Sequence, residues 1–207
     1  SRFAMTAYLQ HLATLPFGGN TNRLVGGVLF GERMMAGFGF ALSLYDYVKR
    51  YLPTQLLVGV IRPVIVARYT ADGNFQRVAM LCEKSFQVNL SLLLIITTPL
   101  IVAGTEILST ISAGKYGQDS AWILLALMAL LALETRRVLL EVQAQTVERY
   151  DLMIRSNLLL SSSVLLGIAA YPWLGAIAFP LGNAAVLLVA NRAVAGKLAA
   201  LGYVQAP

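Results

Sequence analysis

The sequence predicts an all-α, polytopic membrane protein with six transmembrane helices. Two observations carry the membrane class. Of 207 residues, 57% are hydrophobic and only 13% charged, about half the charge of an ordinary soluble domain. Mean hydropathy is +0.69. Such a chain has too little charge to cover a soluble surface, and intrinsic disorder is excluded by the same figures. The third observation is six long apolar stretches, each near the roughly 20 residues that a helix needs to cross a bilayer core. They are leucine-rich and lack the strict alternation of a barrel strand, so helices are expected throughout.

The first stretch runs from Phe3 to Phe30 and is interrupted by Pro16 and Gly18-Gly19-Asn20. The second covers Met35–Tyr69 with Pro53 and Pro63 inside it. The third spans Phe75–Gly104 and carries Pro99, the fourth Asp119–Glu148, the fifth Leu152–Tyr171 and the sixth Leu174–Leu201. Between the second and third, Asp72-Gly73-Asn74 reads as a turn, and Gly114-Lys115-Tyr116-Gly117 separates the third from the fourth. Pro172 is expected to stop the fifth. Gly26-Gly27 and Gly37/Gly39 read as points of close helix packing.

Charge gives an orientation. Sixteen Lys and Arg against ten Asp and Glu make +6, and the positive-inside rule accounts for this excess more simply than nucleic acid does. Arg2, Arg68, Arg77, Arg149, Arg155, Arg192 and Lys197 fall on one side, with Arg33 and Lys115 on the other. Both ends are therefore expected on the cytoplasmic side. The chain opens on Ser1 without a signal-peptide pattern, which predicts a piece excised from a longer polypeptide. Cys82 is the single cysteine, so no internal disulfide forms.

The candidate site residues are ionisable groups within apolar stretches, where each costs at least about 2.5–3.5 kcal/mol unless it has a cavity or a partner. Counting from Met35 along the second stretch, Asp46 lies about 16 Å down and Lys49 and Arg50 about 21–23 Å. Asp46 shares a face with both cations at i+3 and i+4, flanked by Tyr45, Tyr47 and Tyr51. These residues form either a cationic site for an anion or a self-neutralised triad whose Lys49 and Arg50 snorkel to an interface. In the fourth stretch, Glu134, Arg137 and Glu141 share a face, and Arg136 points about 200° away from Glu134. That cluster reads as an inner-leaflet helix end bonded internally, with an inner gate or a headgroup contact as the alternative. Arg23, beside Asn20 and Asn22, faces a central cavity or anchors an outer-leaflet phosphate. Arg62, Arg68, Arg77 and Lys84 flank the turn after the second stretch and suit anionic lipid; Arg62 also joins the gate or headgroup candidates. His11 stands alone and is read as no ligand. The chain carries no phosphate loop, no metal-ligand spacing and no nucleophile triad, so no enzyme, cofactor or metal is expected.

The order of segments then resembles a known family. Ala36-Gly37-Phe38-Gly39-Phe40-Ala41 opens a long helix closing in Arg62-Pro63-Val64-Ile65-Val66-Ala67-Arg68. After Asp72-Gly73-Asn74 come Arg77 and Lys84, Pro99, Ser112-Ala113-Gly114-Lys115-Tyr116, and Tyr171-Pro172-Trp173-Leu174-Gly175-Ala176. This succession, from about Asn22 to Gly202, resembles the polysaccharide-export flippases (Wzx-like O-antigen and exopolysaccharide transporters) of the multidrug/oligosaccharidyl-lipid/polysaccharide exporter superfamily. The resemblance implies two six-helix lobes, of which this is the C-terminal one, with its partner lobe elsewhere in the polypeptide. It implies alternating-access movement of an undecaprenyl-pyrophosphate-linked oligosaccharide, coupled to an ion gradient. Lys49 and Arg50, with Arg23 as helper and Asp46 beside them, match the cavity cations expected to meet the pyrophosphate. A cation-coupled multidrug or metabolite exporter of the same superfamily is the second reading, and a non-transporting scaffold for glycan assembly the third.

Overall fold

A computed structural model describes residues 25–203, and of residues 55–61 the backbone only. Most of the first predicted stretch, with His11, Asn20, Asn22 and Arg23, lies outside the described residues. Every regular element described is helical. After a short helical stretch at 25–29 come α1 (Glu32–Tyr51), α2 (Pro53–Asp72), α3 (Phe75–Ile111), α4 (Gln118–Thr146), α5 (Tyr150–Ser161) and α6 (Ser163–Leu174). A single 3-10 turn (Gly175–Ile177) leads into α7 (Ala178–Ala200).

Proline chemistry explains where these elements differ from the expected ones. The single helix predicted over 35–69 is two, because Pro53 forces Leu52 into extended backbone (φ −67°, ψ 133°) and then starts α2 at its first position. Pro63, by contrast, is carried inside α2. In α3, Pro99 removes one ladder hydrogen bond and Ala103 leaves helical geometry (φ −137°, ψ 30°). The helix kinks there and resumes, reaching Ile111 instead of ending at Gly104. The predicted helix over 152–171 divides at Ser162. Pro172 lies within α6, which ends at Gly175, where φ is 58° and ψ −146°. The turn at Asp72-Gly73-Asn74 has the predicted form: Gly73 takes the left-handed cap of α2, and the Asn74 side chain accepts the backbone N–H of Arg77 at 3.3 Å.

α4 is the axis of the bundle. Only Gln118, Asp119, Trp122 and Ala129 along its length are exposed, because α1, α3 and α7 pack around it. Phe38, Leu42, Leu127, Leu131, Phe179 and Leu187 form the interior of this packing. Phe30 caps it, with ring centroids 5.4 Å from each of Phe38, Tyr171 and Phe179. Of the four glycines expected at close approaches, Gly26 and Gly37 are two: a Cβ would lie 2.7 Å from the Phe30 ring at Gly26 and 2.8 Å from the Ser120 hydroxyl at Gly37, while Gly27 and Gly39 face open space.

α6 and α7 cross backbone against backbone. A Cβ on Gly182 would lie 3.2 Å from the Gly167 backbone nitrogen and 3.3 Å from the Ser163 carbonyl oxygen, atoms that cannot swing aside. Gly182→Val is therefore expected to lower stability by about 1–3 kcal/mol through overpacking, read as a drop in melting temperature. Gly196→Val, with nothing near it, is the control and should leave the melting temperature in place.

The outside of the bundle is apolar over large areas. Ile95 is 68% exposed, and Leu94, Ile101 and Val102 of α3, Leu165 and Trp173 of α6 and Val189 of α7 are also exposed. Among the described residues, two stretches are long and apolar enough to cross a membrane: Phe75–Ile111 and Tyr150–Ala200, the latter comprising α5 to α7. The other helices are shorter in apolar run. Asp46 follows Arg33 too soon in α1, and Glu134 closes the run that Ala121 begins in α4, so neither reaches the roughly 20 uncharged residues of a full crossing.

Candidate functional site

Residues 134–137 of α4 organise a polar layer across the bundle. Successive helical residues are rotated by about 100°, so Glu134, Arg136 and Arg137 radiate toward three different neighbours. Glu134 faces α1. Its Oε2 accepts the Tyr45 hydroxyl at 2.6 Å and the Lys49 ammonium at 2.6 Å. The same ammonium lies 3.3 Å from the Tyr45 hydroxyl oxygen and 5.4 Å from the ring centroid. Arg136 turns to α3, where Nη1 meets Glu83 Oε2 at 2.5 Å and the guanidinium lies 5.2 Å from the Phe86 ring centroid. Arg137 turns to α5 and is buried. Its Nη2 donates to the Ser156 hydroxyl and, at 2.6 Å, to Asn157 Oδ1, while Nη1 is buried with no hydrogen-bond partner among the described residues.

This layer adds contacts between helices that the expected sets did not include. Lys49 is held by Glu134 of α4, so the expected Asp46–Lys49–Arg50 triad does not account for its charge. The reason is geometric: Lys49 lies on the side of α1 that carries buried Tyr45, whereas Asp46 and Arg50 are exposed. In the expected Glu134–Arg137–Glu141 set, Glu134 hydrogen-bonds to α1 and Arg137 to α5, while the Glu141 carboxylate acts electrostatically on Arg137. Glu141 also accepts the Gln145 side-chain amide at 2.9 Å. Lys49 and Arg50 also fall in the last turn of α1, roughly 26 Å from Glu32 at 1.5 Å per residue. They mark the end of a helix, not the middle of a longer one.

Glu83, Ser156 and Asn157 are partners that the sequence reading missed. Their only signal was polarity within or beside apolar runs, and which cation each would meet depends on helix rotation. Asn89 and Thr54 form another unforeseen tie, joining α3 to α2: the Thr54 N–H donates to Asn89 Oδ1 at 3.2 Å, and the Asn89 amide donates to the Thr54 hydroxyl and the Ser85 carbonyl.

On the exposed side of α1, Ser43, Asp46, Tyr47 and Arg50 recur at i, i+3, i+4 and i+7. They form one polar stripe, extended by Tyr51, whose ring centroid is 5.0 Å from that of Tyr47. It contrasts with the apolar exposed faces of α3, α6 and α7.

Cavities flank the bundle, three of them among the described residues bearing on the candidate residues. One of about 800 Å³ lies between the start of α1 and the turn before α4, with Glu32, Arg33, Lys115 and Asp119 on its walls. One of about 230 Å³ lies between α2, α3 and α4, with Arg62 and Lys84 on its walls. The third, of about 300 Å³, adjoins the α2–α3 turn beside Arg68 and Arg77. None of the three is lined by Asp46, Lys49 or Arg50. Among the described residues no His, Cys, Asp and Glu group has the spacing to hold a metal ion.

The layer neutralises most of its own charge and ties α4 to three neighbours, so its chemistry is cohesive. Arg50 on α1 and Arg62 and Lys84 beside α2–α3 are among the exposed cations, which also include Arg33 and Lys115. Fold and site thus define an all-helical bundle with a charged cross-layer, one polar stripe and a broad apolar exterior. No family model, curated protein or solved structure matches the chain.

Proposed function

We propose that this chain is one lobe of a polysaccharide-export flippase in a bacterial cytoplasmic membrane, crossing it six times with both ends cytoplasmic. The observation that carries the reading is the α1 stripe of Ser43, Asp46, Tyr47 and Arg50. A charged, exposed helix face is unfavourable against lipid and stable against water. On a bundle whose α3, α6 and α7 expose broad apolar areas around Ile95, Ile101, Leu165, Trp173 and Val189, such a stripe suits the wall of an aqueous path, with a second lobe closing the opposite side. The succession of motifs described from the sequence supports the same reading.

In this arrangement Arg50 is the cation offered to the pyrophosphate of an undecaprenyl-linked oligosaccharide, and Tyr47 and Tyr51 present ring faces to its sugars. Arg23 is the expected helper. Lys49 sits behind the stripe, and its pairing with Glu134 fixes how α1 is rotated. The oligosaccharide head passes along the stripe while the polyprenyl chain stays in the bilayer.

The test is transport of a lipid-linked oligosaccharide by the full-length protein in vesicles. Arg50→Gln is expected to reduce flux by about tenfold or more, the worth of one charge-assisted contact, with membrane insertion unchanged and Arg50→Lys intermediate. Wild-type flux in Arg50→Gln would defeat the proposal. Asp46 lies on the same stripe and favours a second reading, a cation-coupled exporter. That reading gains if the protein transports a cationic dye and Asp46→Asn abolishes it.

A further inference from the structure

The α2–α3 hairpin holds two pairs of cations at matched heights. Arg62 lies ten residues before the end of α2 at Asp72, and Lys84 nine residues after the start of α3 at Phe75. Both are therefore roughly 14–15 Å from the turn, measured along their helices. Arg68 and Arg77 lie nearer to it, beside a separate cavity. The two pairs differ in their partners. Arg77 is bound to Asp72 at 3.0 Å. Among the described residues no carboxylate pairs with Arg62 or Lys84, since Glu83, the neighbour of Lys84, is held by Arg136.

Arg62 and Lys84 also share a cavity. The space of about 230 Å³ between them is walled by Leu81, Val88, Leu139 and Val142, and its polar floor, Thr54 and Asn89, is already satisfied by mutual hydrogen bonds. Its size approaches the lower end of the roughly 300–1,000 Å³ of small-molecule pockets. That is enough for a segment of hydrocarbon chain and too little for a whole lipid. Two cations at one height beside an apolar slot match one kind of molecule, an anion carrying an apolar tail. We infer that the α2–α3–α4 cavity is a binding site for an anionic phospholipid, its phosphate held by Arg62 and Lys84 and part of one acyl chain seated against Leu81, Val88, Leu139 and Val142. The inference needs the chain to lie in a bilayer and is independent of the flippase reading, since it concerns a different face and a resident lipid.

The experiment places the full chain in nanodiscs of phosphatidylcholine with phosphatidylglycerol and measures retained lipid by native mass spectrometry. Phosphatidylglycerol is expected to be retained in preference to phosphatidylcholine. Arg62→Gln with Lys84→Gln should weaken that retention by roughly thirtyfold, from two cations acting together. Val88→Trp, at a half-exposed position on the cavity wall, should weaken it as well by filling the slot, and it carries the test if the double variant fails to fold. Arg68→Gln should have a smaller effect than either. Unchanged retention in the double variant overturns the site. Loss in the double variant with Val88→Trp unaffected overturns it too, because the acyl chain would then not occupy the cavity. Displacement of the lipid by inorganic phosphate alone would assign the cations to a soluble anion and likewise defeat the inference.

Discussion

Glu134→Ala is expected to be among the most destabilising single changes in the bundle. It removes the acceptor of both the Tyr45 hydroxyl and the Lys49 ammonium, leaving a buried phenol and a half-buried cation without it. Breaking a fully buried ion pair costs about 3–5 kcal/mol. Lys49 is 35% exposed and Glu134 13%, so the lysine can swing toward water and recover part of that loss. The expected loss is about 2–3 kcal/mol, seen as a lower melting temperature in detergent. Glu134→Gln should lose less, because an amide oxygen still accepts from Tyr45. Lys49→Glu should be worse than either, with two carboxylates facing each other, and adding Glu134→Lys should restore part of the stability. An unchanged melting temperature for Glu134→Ala would show that the α1–α4 contact rests on Phe38, Leu42 and their apolar neighbours alone.

The same pair shows how far the sequence could be read. Helix content follows from hydrophobic runs and turn residues, and the Asp72-Gly73-Asn74 turn is legible because only a few residues accept a left-handed cap. That Arg136 points away from Glu134 also follows from helix rotation, and the structure gives Arg136 its own partner on α3. What one helix cannot disclose is which neighbour each face meets. Lys49 has a carboxylate three residues earlier at Asp46, and local spacing favours that pair; the fold instead brings Glu134, 85 residues away, to 2.6 Å. Proline was legible as punctuation but not in degree. Pro53 ends one helix and begins another, Pro63 and Pro172 are accommodated, and Pro99 accompanies a kink at Ala103. The outcome depends on whether the freed carbonyl finds another partner and whether packing tolerates the bend.

Ile95→Lys is expected to block stable membrane insertion of the chain, whereas Ser43→Lys is expected to leave it nearly unchanged. Both positions are exposed, so neither substitution disturbs the interior, and the difference between them reports only what lies outside. Ile95 stands within the apolar run of α3, which among the described residues is one of two stretches suited to crossing a membrane. Exchanging isoleucine for lysine near the centre of such a helix costs about 3–4 kcal/mol in insertion, a shift of more than a hundredfold in the inserted fraction. Ser43 lies on the stripe that ends in Asp46, Tyr47 and Arg50, where an added charge should meet water. Insertion can be followed by glycosylation mapping and by resistance to alkaline extraction. If the two variants insert equally well, the apolar surface of α3 must be covered by protein, and the contrast between a lipid-facing side and a water-facing side loses its physical basis. If Ser43→Lys alone fails, α1 is the helix that faces lipid, and the aqueous path must be sought along another face of the bundle.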